Sequence, residues 1–549
     1  MTVTLDGETL TIAEVVAVSR ENEPVQLAEP ARQRVREARD RVDGILDVGD
    51  PVYGVNTGFG ELVDERIPPD RLAELQTNLL RSHAAGLGPE LPRELVRAVI
   101  CTRINALLKG YSGIRLDVVD LLVAMLNRRV HPVIPARGSL GASGDLAPLA
   151  HLALVLIGEG DADVERVAED AGHRSGAGRE STAVSVERYG GATALAEVGL
   201  EPVELCAKEG LALINGTQLT LGVAALLVHD ADRVCRAADA AGALTTEVSM
   251  GTTAACAEPI HDVRPHAGQA TSARIVRRLT SDSEVVESHR NCDRVQDPYA
   301  IRCLPQIHGA VRDAVDHLRE AVDIELNSAT DNPLVFPRRA LDDRASGTDD
   351  AAVVSGGNFH GAPLAHRLDY LVAALTDLAA VAERRVDRLL NPNLQEDHLP
   401  PFLAAESGVE SGLMIAQYTA ASLVAECRSV GRAATDNATV SGGQEDHVSM
   451  SATAAMNART VLRRTRQVVG IELICAAEAA EHLGDLELGT GTAAAHAAVR
   501  DVAPELAGDR VLTDDLRNVD TLVRSGLLDV AIDDAVDEVS WSTPVEYEP

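Results

Sequence analysis

Ala142-Ser143-Gly144 carries the most unusual chemistry available to this chain. It lies within Gly138-Ser139-Leu140-Gly141-Ala142-Ser143-Gly144-Asp145-Leu146-Ala147-Pro148-Leu149. Glycines and other small residues there allow sharp turning without Cβ clashes. In a tight bend the amide nitrogen of Gly144 could attack the carbonyl carbon of Ala142. Loss of water would then close a five-membered ring. Loss of the Ser143 hydroxyl as a second water would leave an exocyclic methylene. Gly144 suits the attack because no side chain blocks it, and Ser143 supplies the leaving group. A bare Ala-Ser-Gly is by default an ordinary turn, and the full string 138–149 is what makes the pattern specific. A helix is expected to begin near Asp145, a good N-cap, with Pro148 tolerated in its first turn. The positive end of that helix would face the loop.

Other stretches offer partners for such a centre. Tyr53-Gly54-Val55-Asn56-Thr57-Gly58-Phe59-Gly60 is a second glycine-rich loop, but no Gly-Lys-Ser/Thr follows to bind phosphate. Aromatics are only 2% of the chain, which draws attention to Tyr53. Acting as a base near pH 7 would require its pKa to fall from about 10, or around 4 kcal/mol of differential interaction. One cation at about 4 Å and effective dielectric near 20 supplies that order of energy. Arg302 or a helix N-terminus could do so. Gln296-Asp297-Pro298-Tyr299-Ala300-Ile301-Arg302-Cys303 presents a planar guanidinium matched to a carboxylate, or else a helix-capping arginine. Leu213-Ile214-Asn215-Gly216-Thr217-Gln218 places Asn215 at an expected helix start, as N-cap, as hydrogen-bonding group, or both. Ser355-Gly356-Gly357-Asn358-Phe359-His360 reads as a turn carrying an aromatic ring. Ser82-His83 ends the helix expected over 71–81. Gln444-Glu445-Asp446-His447-Val448-Ser449-Met450 contributes Glu445. Its carboxylate could accept from an imidazole N–H or an ammonium group and would sit badly against a phenyl ring.

Taken together, and above all through the string 138–149, these motifs resemble the aromatic amino acid lyase family. The resemblance runs from about Val52 to about Met450 and is strongest to members acting on histidine. It implies a 4-methylidene-imidazol-5-one group made autocatalytically from Ala142, Ser143 and Gly144, with no external cofactor. It implies that Tyr53 removes the β-proton and that Asn215 hydrogen-bonds the ring oxygen, where charge builds up. Tyr299 and Gln296 would lie beside the group and substrate. Arg302 would hold the substrate carboxylate, Phe359 would contact the substrate ring, and His83 and Glu445 would orient an imidazole. Relatives acting on phenylalanine or tyrosine have Phe-Leu or His-Leu in place of Ser82-His83, and usually an amide in place of Glu445. The implied reaction is non-oxidative elimination of ammonia from L-histidine to trans-urocanate, the first step of histidine degradation. The alternative is a phenylalanine or tyrosine ammonia-lyase or an aminomutase with the same group. The resemblance also implies a homotetramer whose active sites each draw on three subunits. A fumarase-like lyase would carry a Gly-Ser-Ser loop with Pro-Gly-Lys, which is absent here.

Helices must position these residues. Apolar residues recur at three- and four-residue spacing over 71–84, 93–108, 116–128, 146–157, 310–325, 363–388 and 456–482. The expectation is a mainly α protein with long helices packed as a bundle, of the aromatic amino acid lyase and fumarase-like superfamily type that the resemblance implies. A glycine-rich N-terminal part, 1–205, would carry the electrophile loop. Residues 206–549 would form the long central bundle and the C-terminal helices. The polar stretches 158–191 and 338–350 read as solvated surface insertions.

The net charge is −34, and Lys109 and Lys208 are the only lysines. Such a surface repels nucleic acid and anionic membranes. An acid excess of this size fits adaptation to high salt, where screening removes mutual repulsion. A GC-rich genome would also favour Arg and Asp, but without so large an excess of acid. Eight scattered cysteines with no C-x-x-C pair, and no HExxH, point to neither a disulfide framework nor a metal site. The start of the chain lacks a basic n-region, and no run of 18 apolar residues occurs, so a cytoplasmic location and a small-molecule partner are expected.

Overall fold

The computed structural model describes residues 2–57, 66–167, 184–290, 292–341, 345–537 and 539–541, and helices predominate among them. Every helix expected from spacing forms. The stretch 71–84 becomes Leu72–His83, and 363–388 becomes Ala362–Leu390. The stretch 310–325 falls within Leu304–Leu326, and 456–482 mostly within Ser451–Ala480. The chain divides into two compact units. The first comprises 1–226, 319–368 and 432–456; the second comprises 227–318, 369–431 and 457–549.

In the first unit, helix Arg93–Leu107 begins after Pro92, and its residues are buried from Leu95 to Leu107. Two arginines lie within that run. Arg97 Nε donates to Val18 O at 2.8 Å and its Nη1 to Leu126 O at 2.9 Å. Carbonyls thus satisfy a guanidinium that burial would otherwise penalise. Burial pulls the Arg97 pKa down to about 10. A separate apolar cluster joins Val42 and Ile45 of helix Glu29–Val48 to Val52, Val55, Val335 and Val353. Val335 and Val353 belong to antiparallel strands Leu334–Pro337 and Ala351–Val354. Val52 and Val55 flank Tyr53, so this cluster anchors the loop that carries it. Residues 58–60 of that motif lie outside the described residues.

The described parts of the two polar stretches include paired strands. Asp161–Val167 pairs antiparallel with Val184–Gly190 on one side and with Val130–Pro132 on the other. Ala162 and Val164 alternate inward, 0% and 1% exposed, which is the period-two signal hidden by acidic neighbours. Residues 168–183 and 342–344 lie outside the described residues.

The second unit contains a buried polar chain to which four long helices each contribute. Arg385 forms a bidentate pair with Glu472, at 2.5 and 2.9 Å. His308 Nδ1 lies 2.7 Å from Asp239, whose other oxygen accepts from Arg312 at 2.5 Å. Arg385 Nη1 is 3.2 Å from His308 Nε2. A guanidinium can only donate, so Nε2 accepts and Nδ1 carries the proton toward Asp239. Burial lowers the His308 pKa. Burial alone would raise that of Asp239, but Arg312 and His308 together hold it below the usual value. Arg385 Nη1 also reaches Ala300 O at 3.3 Å, within the 296–303 motif. Among the described residues, no helix is long and apolar enough to cross a membrane.

Glu472→Ala leaves Arg385 buried without its counter-ion, and should cost about 3–5 kcal/mol by denaturant unfolding. A loss under about 1 kcal/mol would contradict the pairing. Raising KCl from about 0.1 M to about 1 M shrinks the Debye length from about 10 Å to about 3 Å. With a net charge of −34, relief of repulsion should outweigh weakened surface pairs, so the thermal midpoint should rise; a fall would reverse that balance.

Candidate active site

The bend at 141–145 exists because two backbones touch. Gly144 and Gly216 form a parallel bridge, and Asp145 N donates to Gly216 O at 2.6 Å. A Cβ on Gly144, where φ is +80°, would stand 2.2 Å from Gly216 O. On the other flank, Ser449 Oγ donates to Gly141 O at 2.8 Å and Met450 N to Leu140 O at 2.7 Å. A Cβ on Gly141 would stand 2.2 Å from Ser449 Oγ. Residues 215–216 and 445–450 therefore grip the tripeptide from two sides.

Asp145 occupies the N-cap position of helix Leu146–Leu156, as expected, but its side chain does not cap that helix. The fully buried carboxylate accepts instead from Thr220 N at 2.9 Å, in the first turn of helix Gln218–Val248, and from Ser139 Oγ at 2.7 Å. Burial raises its pKa against these hydrogen bonds. Asn215 likewise differs from the expected helix start. It is the C-cap of helix Glu209–Ile214, and Thr217 and Gly216 separate it from the next helix.

Asn215 Nδ2 donates to Ser143 O at 3.2 Å, while its Oδ1 is buried with no hydrogen-bond partner. Arg103, fully buried, holds Asn215 in place through Nη1 to Asn215 O at 2.9 Å and to Gln218 Oε1 at 2.6 Å. Ser143 Oγ donates to Glu445 Oε1 at 2.8 Å, joining residues 302 positions apart. Tyr53, Ala142, Ser143, Asn215, Phe359 and Glu445 line one cavity of about 530 Å³.

Residues without an assigned role in the sequence reading complete its walls: Asn332, Ser355, His360, Gln444 and His447 among them. The His360 and His447 rings stack at 5.9 Å. Asn332 Oδ1 accepts from Gly356 N at 2.7 Å, and Asp331 Oδ1 from Asn332 N at 2.7 Å. Asp331 in turn pairs with Lys208 Nζ at 3.0 Å, both side chains being buried. Burial lowers the Lys208 pKa. One of the chain's two lysines thus braces the loop that carries Phe359. The Asn332-Pro333 dipeptide was the available turn signal for that loop.

The other expected site residues are not among those lining this cavity. His83 ends helix Leu72–His83, with Nδ1 2.9 Å from Leu79 O. Gln296, Tyr299 and Arg302 belong to the second unit. There Arg302 stacks on the Tyr299 ring at 4.8 Å and donates to Asp297 O at 3.3 Å. Tyr299 is 70% exposed.

Residues 10–501 match the family described as aromatic amino acid lyase. A Halobacterium salinarum protein named "Probable histidine ammonia-lyase" is 61% identical, over 97% of this chain and 98% of its own. Tyrosine aminomutase from Streptomyces globisporus superposes with a TM-score of 0.87 at 36% identity, covering 98% of this chain and 99% of that one. Histidine ammonia-lyase from Trypanosoma cruzi does so with a TM-score of 0.85 at 37% identity, covering 100% of both chains.

Gly144→Ala should destabilise the chain by about 1–3 kcal/mol, because backbone strain and overlap with Gly216 add. Thermal unfolding at fixed salt measures this. An unchanged midpoint would mean that the two backbones do not meet.

Proposed function

We propose, from the premise that the chain belongs to the aromatic amino acid lyase family, that it eliminates ammonia from L-histidine to give trans-urocanate in the cytoplasm. The observation that carries this reading is the placement of Ser143 between Asn215 and Glu445 in a cavity also lined by Tyr53 and Phe359. The histidine activity in the names of its relatives supports the choice of substrate.

The residues present fit a 4-methylidene-imidazol-5-one made from Ala142, Ser143 and Gly144. Gly144 has no room for a side chain, and Asn215 carries a buried polar atom still without a partner. When formed, the group supplies an electrophilic carbon that makes the substrate amine a better leaving group. Asn215 Nδ2, held on Ser143 O, stabilises negative charge at that oxygen. Tyr53 takes the β-proton. Phe359 contacts the substrate ring. Glu445 accepts from the imidazole N–H or the ammonium. His83 helps orient the imidazole: with Nδ1 donating to Leu79 O, its Nε2 is left as an acceptor. Arg302 holds the carboxylate by a bidentate contact. Gln296, Tyr299 and Arg302 reach the cavity from a neighbouring chain in a homotetramer; the exposure of Tyr299 supports this.

Incubation with L-histidine, L-phenylalanine and L-tyrosine, followed by the absorbance of each conjugated acid, tests the reading. Histidine should be the substrate turned over. Faster turnover of tyrosine or phenylalanine would overturn that choice, and a β-amino acid product would mark an aminomutase. Ser143→Ala should be inactive and lack the ultraviolet band of the ring. Tyr53→Phe should lower kcat by about 10²–10⁴-fold, the usual worth of a general base. Gel filtration in high salt should place the activity in the tetramer; an active monomer would refute shared sites.

A further inference from the structure

We propose that Glu445 also serves as the acid–base group of the chain's own maturation, carrying the proton that allows the Ser143 hydroxyl to leave. This rests on the reading of Ala142-Ser143-Gly144 as the source of the ring, and assigns Glu445 a task that precedes any encounter with substrate.

Hydroxide is a poor leaving group, so β-elimination from serine needs a proton delivered to Oγ as the Cβ–O bond breaks. The group in place to deliver it is the Glu445 carboxyl, 2.8 Å from Ser143 Oγ. The contact is built rather than incidental. Glu445 O accepts from Val440 N at 3.0 Å, fixing the backbone of the residue. Four and five residues further on, Ser449 and Met450 bond to Gly141 O and Leu140 O. That register sets Glu445 opposite Ser143. The other buried acids nearby are committed elsewhere. Asp145 faces Thr220 and Ser139, and Glu325 accepts from Thr217 at 2.6 Å. On the opposite face, Asn215 supplies an amide, which cannot transfer a proton at neutral pH.

The step balances without a co-reactant. The Glu445 carboxylate, which accepts from Ser143 Oγ, takes the Ser143 Cα proton as the Cα–H electrons become the Cα=Cβ bond. The carboxylic acid so formed passes that proton to Oγ as the Cβ–O bond breaks, water departs and the carboxylate is restored. The other water comes from closure between Gly144 N and Ala142 C, for which Glu445 is not needed. Once Oγ has gone, Glu445 has lost its partner and faces the cavity, available to the substrate. One carboxyl thereby serves maturation first and recognition afterwards.

The test follows the mass of the Ser143 peptide over time in full-length chains made in a cell-free system, for the wild type, Glu445→Gln and Glu445→Asp. The wild type should lose two waters. Glu445→Gln keeps a hydrogen-bonding side chain but cannot relay the proton. It should retain the Ser143 hydroxyl, with dehydration slowed by about 10²–10⁴-fold, the range for general acid–base catalysis. Glu445→Asp should fall between the two. Maturation of Glu445→Gln at the wild-type rate would overturn the proposal. If that variant does not regain wild-type helicity by circular dichroism, Glu445→Asp decides alone: an unslowed rate overturns the proposal, a slowed one upholds it. A wild-type peptide with no mass deficit would instead refute the ring itself, so the two readings fail separately.

Discussion

Two glycine backbones meeting at Gly144 and Gly216 are the contact on which the rest of the site depends. A Cβ on Gly144 would run into the Gly216 backbone, and one on Gly216 would meet Gln218 Oε1 and Arg103 Nη1, the groups that hold Asn215 in place. The contact survives because each strand of it is held from behind. Arg103 fixes the carbonyl of Asn215, and Asp145 ties its own loop to the first turn of helix Gln218–Val248. The serines at 449 and 451 close over Gly141, and Ser451 also packs at Gly361. Small residues converge here because the backbones must approach closely, and bulk at any one would open the bend.

Buried charge is the second recurring device, and it acts as a positioning element. A buried ion pair adds little net stability compared with apolar packing, but removing one partner is costly. It therefore specifies geometry. Lys208 and Asp331 steady the loops at 332 and 356 that wall the cavity. Arg385, Glu472, His308, Asp239 and Arg312 tie four long helices together, and Arg385 reaches the carbonyl of Ala300 beside Tyr299. In both units, charged side chains fix the segments that carry the residues assigned to chemistry.

Much of this was legible in the residues. The location of seven helices followed from three- and four-residue spacing, because burying one face imposes that period whatever the helix packs against, although Leu304–Leu326 and Ser451–Ala480 begin several residues before the expected starts. The bend at 141–144 followed from glycine, whose backbone freedom is local. The hairpin flanking 168–183 was missed because acidic residues at alternate positions hid the inward pair Ala162 and Val164. The partners of Asp145 were missed for a different reason: an N-cap assignment considers only the helix that follows, and one donor came from Thr220, 75 residues away.

The sequence alone determined the residue types able to do chemistry, the helices that carry them and the small residues needed where the chain bends, since those depend on side-chain identity and local spacing. Tertiary structure decided which of them meet. Ser143 and Glu445 are 302 positions apart, and Arg103 and Asn215 are 112 apart. No local propensity encodes such pairings. They arise when burial of many apolar faces sets the register of distant segments, and the hydrogen bonds then select among the few arrangements that burial allows.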